Sequence, residues 1–202
     1  MCSGTLALIV FGSIYTFGAL TPYISSYLYY QKDETSSAAM SILFTLTLVV
    51  ISVGVAISSM FLTSISNRIL CMAAVLGMSA SVFVASFMTT FAGYVFFYGV
   101  CYGFSIGIGY FPPLKNCYLH LPKQKGLCAG ICMSGFGLGS ALFNYVIVAL
   151  VNPDDVSVDS VTKKYPEAVA NNLPAALKIL AGIYVTMGLL GSIFITPPKQ
   201  KK

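Results

Sequence analysis

Charged residues are scarce in this chain of 202 residues. The sequence contains 11 Lys/Arg and 6 Asp/Glu, together 8% of the chain, whereas a soluble domain carries about 25% charged residues. So few charges cannot cover a surface that faces water. The composition therefore excludes a soluble enzyme, a disordered tail and a nucleic-acid binder. Tryptophan is absent as well, so the 13 tyrosines are left to supply the aromatic side chains of a membrane interface.

Residues with catalytic or metal-binding chemistry are also few. The chain has 1 histidine, no acid lies near the middle of an apolar run, and Ser134 has no base that could activate it. A zinc-like spacing is found at Cys117, His120, Cys128 and Cys132. The last two of these cysteines belong to an apolar run of membrane length, where cysteine is commonly a packing residue. We therefore predict no enzyme activity, no metal site and no cofactor.

Long apolar runs, in contrast, are abundant: 57% of the residues are hydrophobic and the mean hydropathy is +0.84. About 20 apolar residues in a helix cross a hydrocarbon core of roughly 30 Å, and runs this long cannot satisfy their backbone in lipid except as helices. We predict an all-α integral membrane protein with one domain, 1–202. Its six helices are expected at about 6–30, 38–63, 70–88, 91–111, 126–151 and 173–195. The polar loop 152–172 is either solvated, a small cap or a partner contact.

Basic and acidic residues are sorted between the two sides of such a bundle. With six spans, the loops on the side of the termini hold only basic residues: Arg68, Lys115, Lys123, Lys125, Lys199, Lys201 and Lys202. All the acids fall on the other side. Because basic loops remain on the cytoplasmic side, we predict that both termini lie inside. The sequence does not name the membrane, and we hypothesise the mitochondrial inner membrane.

Helices 1 and 4 share a pattern of glycine and proline. The pattern is Gly12, Gly18 and Pro22 in helix 1, and Gly103, Gly109 and Pro113 in helix 4, with equal offsets. Helices 1 and 4 are the leading members of two triplets. The correspondence therefore predicts a 3+3 inverted repeat, in which helices 1–3 match helices 4–6.

Glycines at four-residue spacing also lie along helices 4 and 5. Glycine lets two helix backbones approach closely in lipid, where packing must replace the hydrophobic effect. The glycines concerned are Gly99, Gly103 and Gly107 in helix 4, and Gly126, Gly130, Gly135 and Gly139 in helix 5. We predict that the two helices pack on each other through these faces. Static packing and a sliding surface both remain open.

One segment carries a recognisable motif. Residues 107–140 read GIGYFPPLKNCYLHLPKQKGLCAGICMSGFGLGS, with a glycine-rich helix end, a basic loop and a second glycine run. The motif residues are Gly109, Tyr110, Pro112 and Pro113, then Lys125 and Gly126, then Gly135, Phe136, Gly137 and Gly139. In these features the chain resembles the oxalate/formate antiporter and monocarboxylate transporter group of the major facilitator superfamily. The resemblance implies the N-terminal six-helix half of that fold.

The loop between helices 2 and 3 departs from the pattern of that group. The resemblance implies Gly-x-x-x-Asp-Arg-x-Gly-x-Arg, but residues 59–68 read SMFLTSISNR. The replaced positions are Ser59, Thr63, Ser64 and Ser66, and Arg68 alone is retained. Without the acid, the charged gating latch that the resemblance implies cannot form.

Two functions are compatible with the sequence. A carboxylate in a low-dielectric path needs a paired charge or many donors, and no cation is expected in the membrane core. We therefore favour a transport-deficient accessory subunit of a larger membrane complex, which has lipid and other membrane subunits as its partners. The alternative is a half-transporter of small carboxylates that pairs with a second six-helix half.

The transport alternative makes its own prediction of path residues. They would lie on the face of helices 1, 2, 4 and 5, at Tyr15, Tyr102 and Ser134. Lys115 would draw anions to the inner mouth of this path. The alternative interpretation is that Lys115 is an interfacial anchor that contacts phosphate head groups.

Overall fold

The computed structural model describes residues 2–33, 37–61, 64–160, 162–193 and 195. Helices dominate these residues, and no β-strand is found among them. Within this part of the chain, six helices are long and apolar enough to cross a membrane: α1 (Gly4–Tyr30), α2 (Ala39–Phe61), α3 (Asn67–Ala85), α4 (Phe91–His120), α5 (Lys125–Val151) and α6 (Glu167–Ile193). The prediction of an all-α protein with six spans is confirmed. The orientation of the termini remains a prediction.

Two of the spans change helical type along their length. The first is α-helical over Cys2–Phe11, forms a 3-10 turn over Gly12–Thr16 and is α-helical again over Phe17–Tyr30. The fourth is α-helical over Phe91–Tyr94, widens to a π-helix over Val95–Cys101 and returns to α-helix over Tyr102–His120. Segments of these two types often mark functional positions in helices.

The helices that carry the other spans are more regular. The second helix is Ser37–Phe61, the third is Asn67–Ala85 and the fifth is Lys125–Val151. The sixth span joins a short helix, Glu167–Ala170, to the long helix Leu173–Ile193. The short helix shortens the polar loop expected over 152–172.

The fourth helix is longer than its apolar run, which was expected to end at Phe111. It continues through Pro112 and Pro113 to His120. Proline has no amide hydrogen, so Pro112 leaves the carbonyl of Ile108 without its usual donor. The Ser58 hydroxyl of α2 donates to that carbonyl at 2.8 Å. A hydroxyl from a neighbouring helix therefore replaces the missing bond and allows α4 to continue.

Contacts between the helices follow a two-fold pattern. α1 packs on α5 and α6, and α4 packs on α2 and α3, while α1 touches α4 and α3 touches α6. Exchanging α1 with α4, α2 with α5 and α3 with α6 leaves this pattern unchanged. The pattern agrees with the predicted 3+3 repeat.

Glycines permit the closest approaches between helix backbones. A Cβ added to Gly12 of α1 would overlap the carbonyl oxygen of Phe136 in α5. A Cβ added to Gly103, the equivalent residue of α4, would lie 3.0 Å from the carbonyl oxygen of Thr47 in α2. Equivalent glycines of the two triplets thus face equivalent helices, which is a second sign of the repeat.

The glycines of α4 and α5 do not face each other. Gly107 lies against the α2 backbone, with its added Cβ 2.8 Å from the Cα of Gly54, and Gly99 faces the Leu43 side chain of the same helix. Gly135 and Gly139 face α1, whereas Gly126 and Gly130 have open space at their Cβ positions. The prediction that α4 and α5 pack through these glycines is wrong. The first helix of each triplet packs on the second helix of the other triplet, so α4 packs on α2 and α5 packs on α1.

Candidate functional site

Two cavities open on the exposed surface of α1, α2, α4 and α5, which we call the four-helix face. The α1–α2 groove has a volume of about 400 Å³ and is lined by Tyr15, Phe17, Gly18, Thr21, Met40, Ser41, Phe44 and Thr45. The central cavity, of about 240 Å³, is lined by Ile14, Tyr15, Leu48, Ile51, Val55, Ile106, Tyr110, Met133 and Phe136. Tyr15 lines both cavities and stands at their junction.

Tyr15 is held by an aromatic cluster. Its ring is 52% exposed and packs edge-on against Phe136, with the centroids 5.8 Å apart. Phe136 in turn packs edge-on against Tyr110 at 5.8 Å, and the Tyr110 hydroxyl donates to the Met133 sulfur at 3.3 Å. The Tyr15 position comes from the 3-10 turn, which directs this ring out of the bundle while its neighbours Ile14 and Thr16 are buried.

Tyr102 lies behind the face, fully buried in the bundle. Its hydroxyl is 2.9 Å from the Ser13 hydroxyl, and its ring stacks on Tyr98 at 4.8 Å. Tyr98 interacts through its phenol with Thr16, and Tyr184 of α6 interacts with Ser13 and Thr16. We call Ser13, Thr16, Tyr98, Tyr102 and Tyr184 the hydroxyl core. Because buried hydroxyls in lipid need partners, this core ties α1 to α4 and α6.

Ser134 is exposed on α5, outside the aromatic cluster. Its hydroxyl donates to the Gly130 carbonyl at 2.8 Å, within its own helix. This back-bond to the preceding turn is the common state of a serine in a membrane helix. The structure therefore does not bring Ser134, Tyr15 and Tyr102 together at one site.

Lys115 lies at the end of the bundle that carries Arg68. The two cations, with Asn67 and Asn116, line a cavity of about 300 Å³ that we call the Arg68 cavity. Its lining shares no residue with the two cavities of the four-helix face. Lys115 thus stands apart from Tyr15.

The loop before Arg68 is described except at one predicted position. The Ser59 hydroxyl donates to the Ala56 carbonyl at 2.6 Å, and Ser64 and Ser66 are exposed. Thr63 lies outside the described residues. The hydroxyl of Ser59 is therefore used within its own helix.

A cation that the sequence did not suggest lies at the opposite end of the face. The Lys164 ammonium donates a hydrogen bond to the Ser25 hydroxyl of α1. Both residues line the Lys164 cavity, of about 440 Å³, which shares Gly18, Thr21, Met40 and Ser41 with the α1–α2 groove. Burial lowers the pKa of the Lys164 ammonium. A positive charge therefore stands at the mouth of the groove.

Comparison with known proteins gives a relative but no family. No family model matches the chain. The chain is 26% identical over 185 residues to apicoplast pyruvate carrier 1 of Toxoplasma gondii, and the match covers 74% of this chain and 34% of the relative. The chain thus spans about a third of the length of the curated relative that it matches. The relative is a carrier, which agrees with the prediction that this chain is not an enzyme and relates it to membrane transport.

The predicted membership of the major facilitator superfamily, and of its oxalate/formate antiporter and monocarboxylate transporter group, is corrected by these findings. No family model supports it, and the match is to a protein named as a pyruvate carrier. Short glycine and proline patterns occur wherever membrane helices pack closely. The motif of residues 107–140 is therefore too general to identify a family.

Proposed function

We propose that this chain is a unit of a membrane carrier for small monocarboxylates of the pyruvate class, and that the four-helix face is its transport surface. The observation that carries the proposal is the pair of cavities that share Tyr15 in their linings, on a chain similar to a pyruvate carrier. This similarity favours transport over the accessory-subunit role. The accessory role is an outcome of the test below.

The lining of the groove suits a small anion with an apolar body. Phe17, Met40 and Phe44 supply apolar walls, while Thr21, Ser41 and Thr45 add a few polar atoms. The hydroxyls of Thr21 and Thr45 donate to carbonyls of their own helices, at Phe17 and Ser41. A ligand site of this kind is mostly apolar with a few placed polar groups. Tyr15 borders both the groove and the central cavity. In this proposal it is therefore the residue that a substrate passes between them.

A path through lipid needs walls on both sides, and the four-helix face supplies one of them. We propose that a second six-helix unit supplies the other. The exposed apolar side chains of Leu48 and Val53 on α2 and of Leu138 on α5 then meet protein instead of lipid. Pairing of two such units places the Tyr15 junction inside the assembly.

Reconstitution tests the proposal. The purified full chain is placed in vesicles, and uptake of labelled pyruvate is measured against external concentration. We expect saturable uptake that Tyr15→Ala reduces at least about tenfold, since the variant removes the ring at the junction. Phe83→Ala is the matched control, because Phe83 is 47% exposed on α3, outside the four-helix face, and lines neither cavity of that face. Uptake should be unchanged in this control.

Two results would count against the proposal. One is equal loss of uptake in Tyr15→Ala and Phe83→Ala, which would mean that the effect is not local to the Tyr15 junction. The other is the absence of saturable flux together with stoichiometric co-purification of unrelated membrane subunits. That second result would restore the accessory-subunit hypothesis.

A further inference from the structure

We propose that the loop 152–166 completes a carboxylate-binding site in the Lys164 cavity, with Lys164 as the cation that pairs with the anion and Ser25 as the residue that positions it. The inference deepens the proposed function, on which it rests, by giving the substrate a point of electrostatic recognition. It concerns a loop that composition alone marks as polar and solvated.

The loop is fixed to α1 next to Lys164. The Tyr165 ring stacks on Tyr23 with the centroids 4.6 Å apart, and the Tyr165 amide donates to the Ser26 hydroxyl at 2.9 Å. The Tyr30 hydroxyl donates to the Tyr165 carbonyl at 3.2 Å. Side chain, amide and carbonyl of one residue are therefore all held by α1. The backbone of Lys164 has little freedom as a result.

A tight turn presents Lys163 and Lys164 to the same cavity. The Asp159 carboxylate accepts from the Thr162 amide at 2.8 Å, and the Asp159 amide donates to the Lys164 carbonyl at 2.9 Å. Lys163 has a φ of 56°, in the left-handed region that non-glycine residues seldom adopt. The turn thus holds two adjacent lysines at one cavity edge.

The cavity has the chemistry of a carboxylate site. Two lysines, Lys163 and Lys164, line it together with the hydroxyl-bearing residues Thr21, Ser25, Ser41 and Thr162. An ammonium has three donors, and Ser25 accepts one of those of Lys164. Burial disfavours the charged form of Lys164, and an arriving carboxylate would restore that form by direct pairing. Gly18, Pro22 and Met40 add apolar residues to the lining, which suits the body of a monocarboxylate.

The position of the cavity gives the site a role in the path. Because it shares four lining residues with the α1–α2 groove, an anion paired with Lys164 is already at the entrance of the groove. The loop is thus part of the substrate path.

The lack of tryptophan provides a direct binding assay. Phe44 lines the groove and stacks on Phe17, so Phe44→Trp places a single indole beside the proposed path. The full chain with this change is titrated with sodium pyruvate in detergent, against sodium chloride at equal ionic strength. We expect a saturable fluorescence change with pyruvate alone.

Variants at the site then test the assignment. In the Phe44→Trp background, Lys164→Gln should weaken pyruvate binding by about tenfold or more, as expected for loss of one charge-assisted hydrogen bond. Ser25→Ala should weaken it by about threefold, since it frees the ammonium to rotate away. Lys32→Gln is the matched control, an exposed lysine outside the cavity, and should leave the affinity unchanged. Thermal unfolding shows whether each variant is folded.

The outcomes separate the site from the carrier function. Equal pyruvate affinity in the parent, Lys164→Gln and Ser25→Ala would overturn the site, as would no binding to the parent. Binding that depends on Lys164 without flux in vesicles would keep the site and refute the carrier. Saturable flux with an unchanged KM in Lys164→Gln would keep the carrier and refute the site.

Discussion

Two regions of α1 behave in opposite ways although they are close in sequence. Around Gly12 the helix is closed: the α5 backbone lies directly on it and the hydroxyl core fills the space beside it. Around Gly18 the helix is open, with no atom within 4 Å of the position of an added Cβ and with two cavities alongside. The 3-10 turn Gly12–Thr16 separates the two regions. One helix thus holds the bundle together over one part and lines the proposed path over the other.

The largest effect is expected at the closed region. Gly12→Leu should prevent folding or cost at least about 3 kcal/mol, because a side chain there must push two helix backbones apart. Gly103→Leu, at the equivalent residue facing Thr47, should act in the same direction. Unfolding by detergent titration and size-exclusion profiles provide the measurement. A well-folded Gly12→Leu protein would show that the backbones of α1 and α5 lie farther apart at Gly12 than in this structure.

Gly18→Leu is the matched change at the open region. The side chain should enter empty space, so folding should match that of the parent within about 0.5 kcal/mol. Pyruvate uptake should nevertheless fall at least about tenfold, because the leucine fills the groove. Normal uptake by this variant would show that the groove is not part of the substrate path. The region around Gly18 would then have no role in transport that distinguishes it from the region around Gly12.

A smaller effect is expected in the hydroxyl core. Tyr102→Phe removes the hydroxyl that meets Ser13, and hydrogen bonds between membrane helices contribute about 0.6 kcal/mol on average. A double-mutant cycle with Ser13→Ala measures the coupling in the same detergent titration. The KM for pyruvate should not change. A raised KM in a normally stable Tyr102→Phe protein would place Tyr102 in the path, as the sequence suggested.

The smallest effect is expected at Lys115. Because Arg68 lines the same cavity, Lys115→Ala leaves this end of the bundle positive. The initial uptake rate should fall by no more than about twofold at low salt, and the difference should vanish near physiological ionic strength. Lys123→Ala, in the exposed loop after α4, serves as the control. A loss that persists at high salt would mean that Lys115 binds substrate directly.

The spans could be predicted from the sequence because the thickness of the lipid core sets the length of an apolar run, whatever the helix packs against. Which helix each glycine contacts could not be predicted. Gly107 signals a close approach, but which helix approaches depends on how the two triplets cross. Even the end of α4 was missed, because Ser58 lies in another helix from the prolines whose lost hydrogen bond it replaces.

The candidate site was the least predictable part. Tyr15 was expected on the path and lies at the junction of two cavities, while Tyr102, from the same reasoning, is buried behind it. The pairing of Lys164 with Ser25 joins a loop to a helix far away in the chain. It depends on the turn at Asp159 and on the docking of Tyr165, and neither has a local sequence signal that composition or periodicity can detect.

The hydrogen bond from the Ser58 hydroxyl to the Ile108 carbonyl limits how α2 and α4 can move. A bond that would normally lie within α4 runs between α4 and α2, so separating these helices would leave a carbonyl unsatisfied in hydrocarbon, at a cost of several kcal/mol. Gly54 and Gly107, in direct backbone contact, reinforce the same junction. In any conformational cycle, α2 and the second half of α4 must therefore travel as one rigid body, and the motion has to be taken up at other helix contacts.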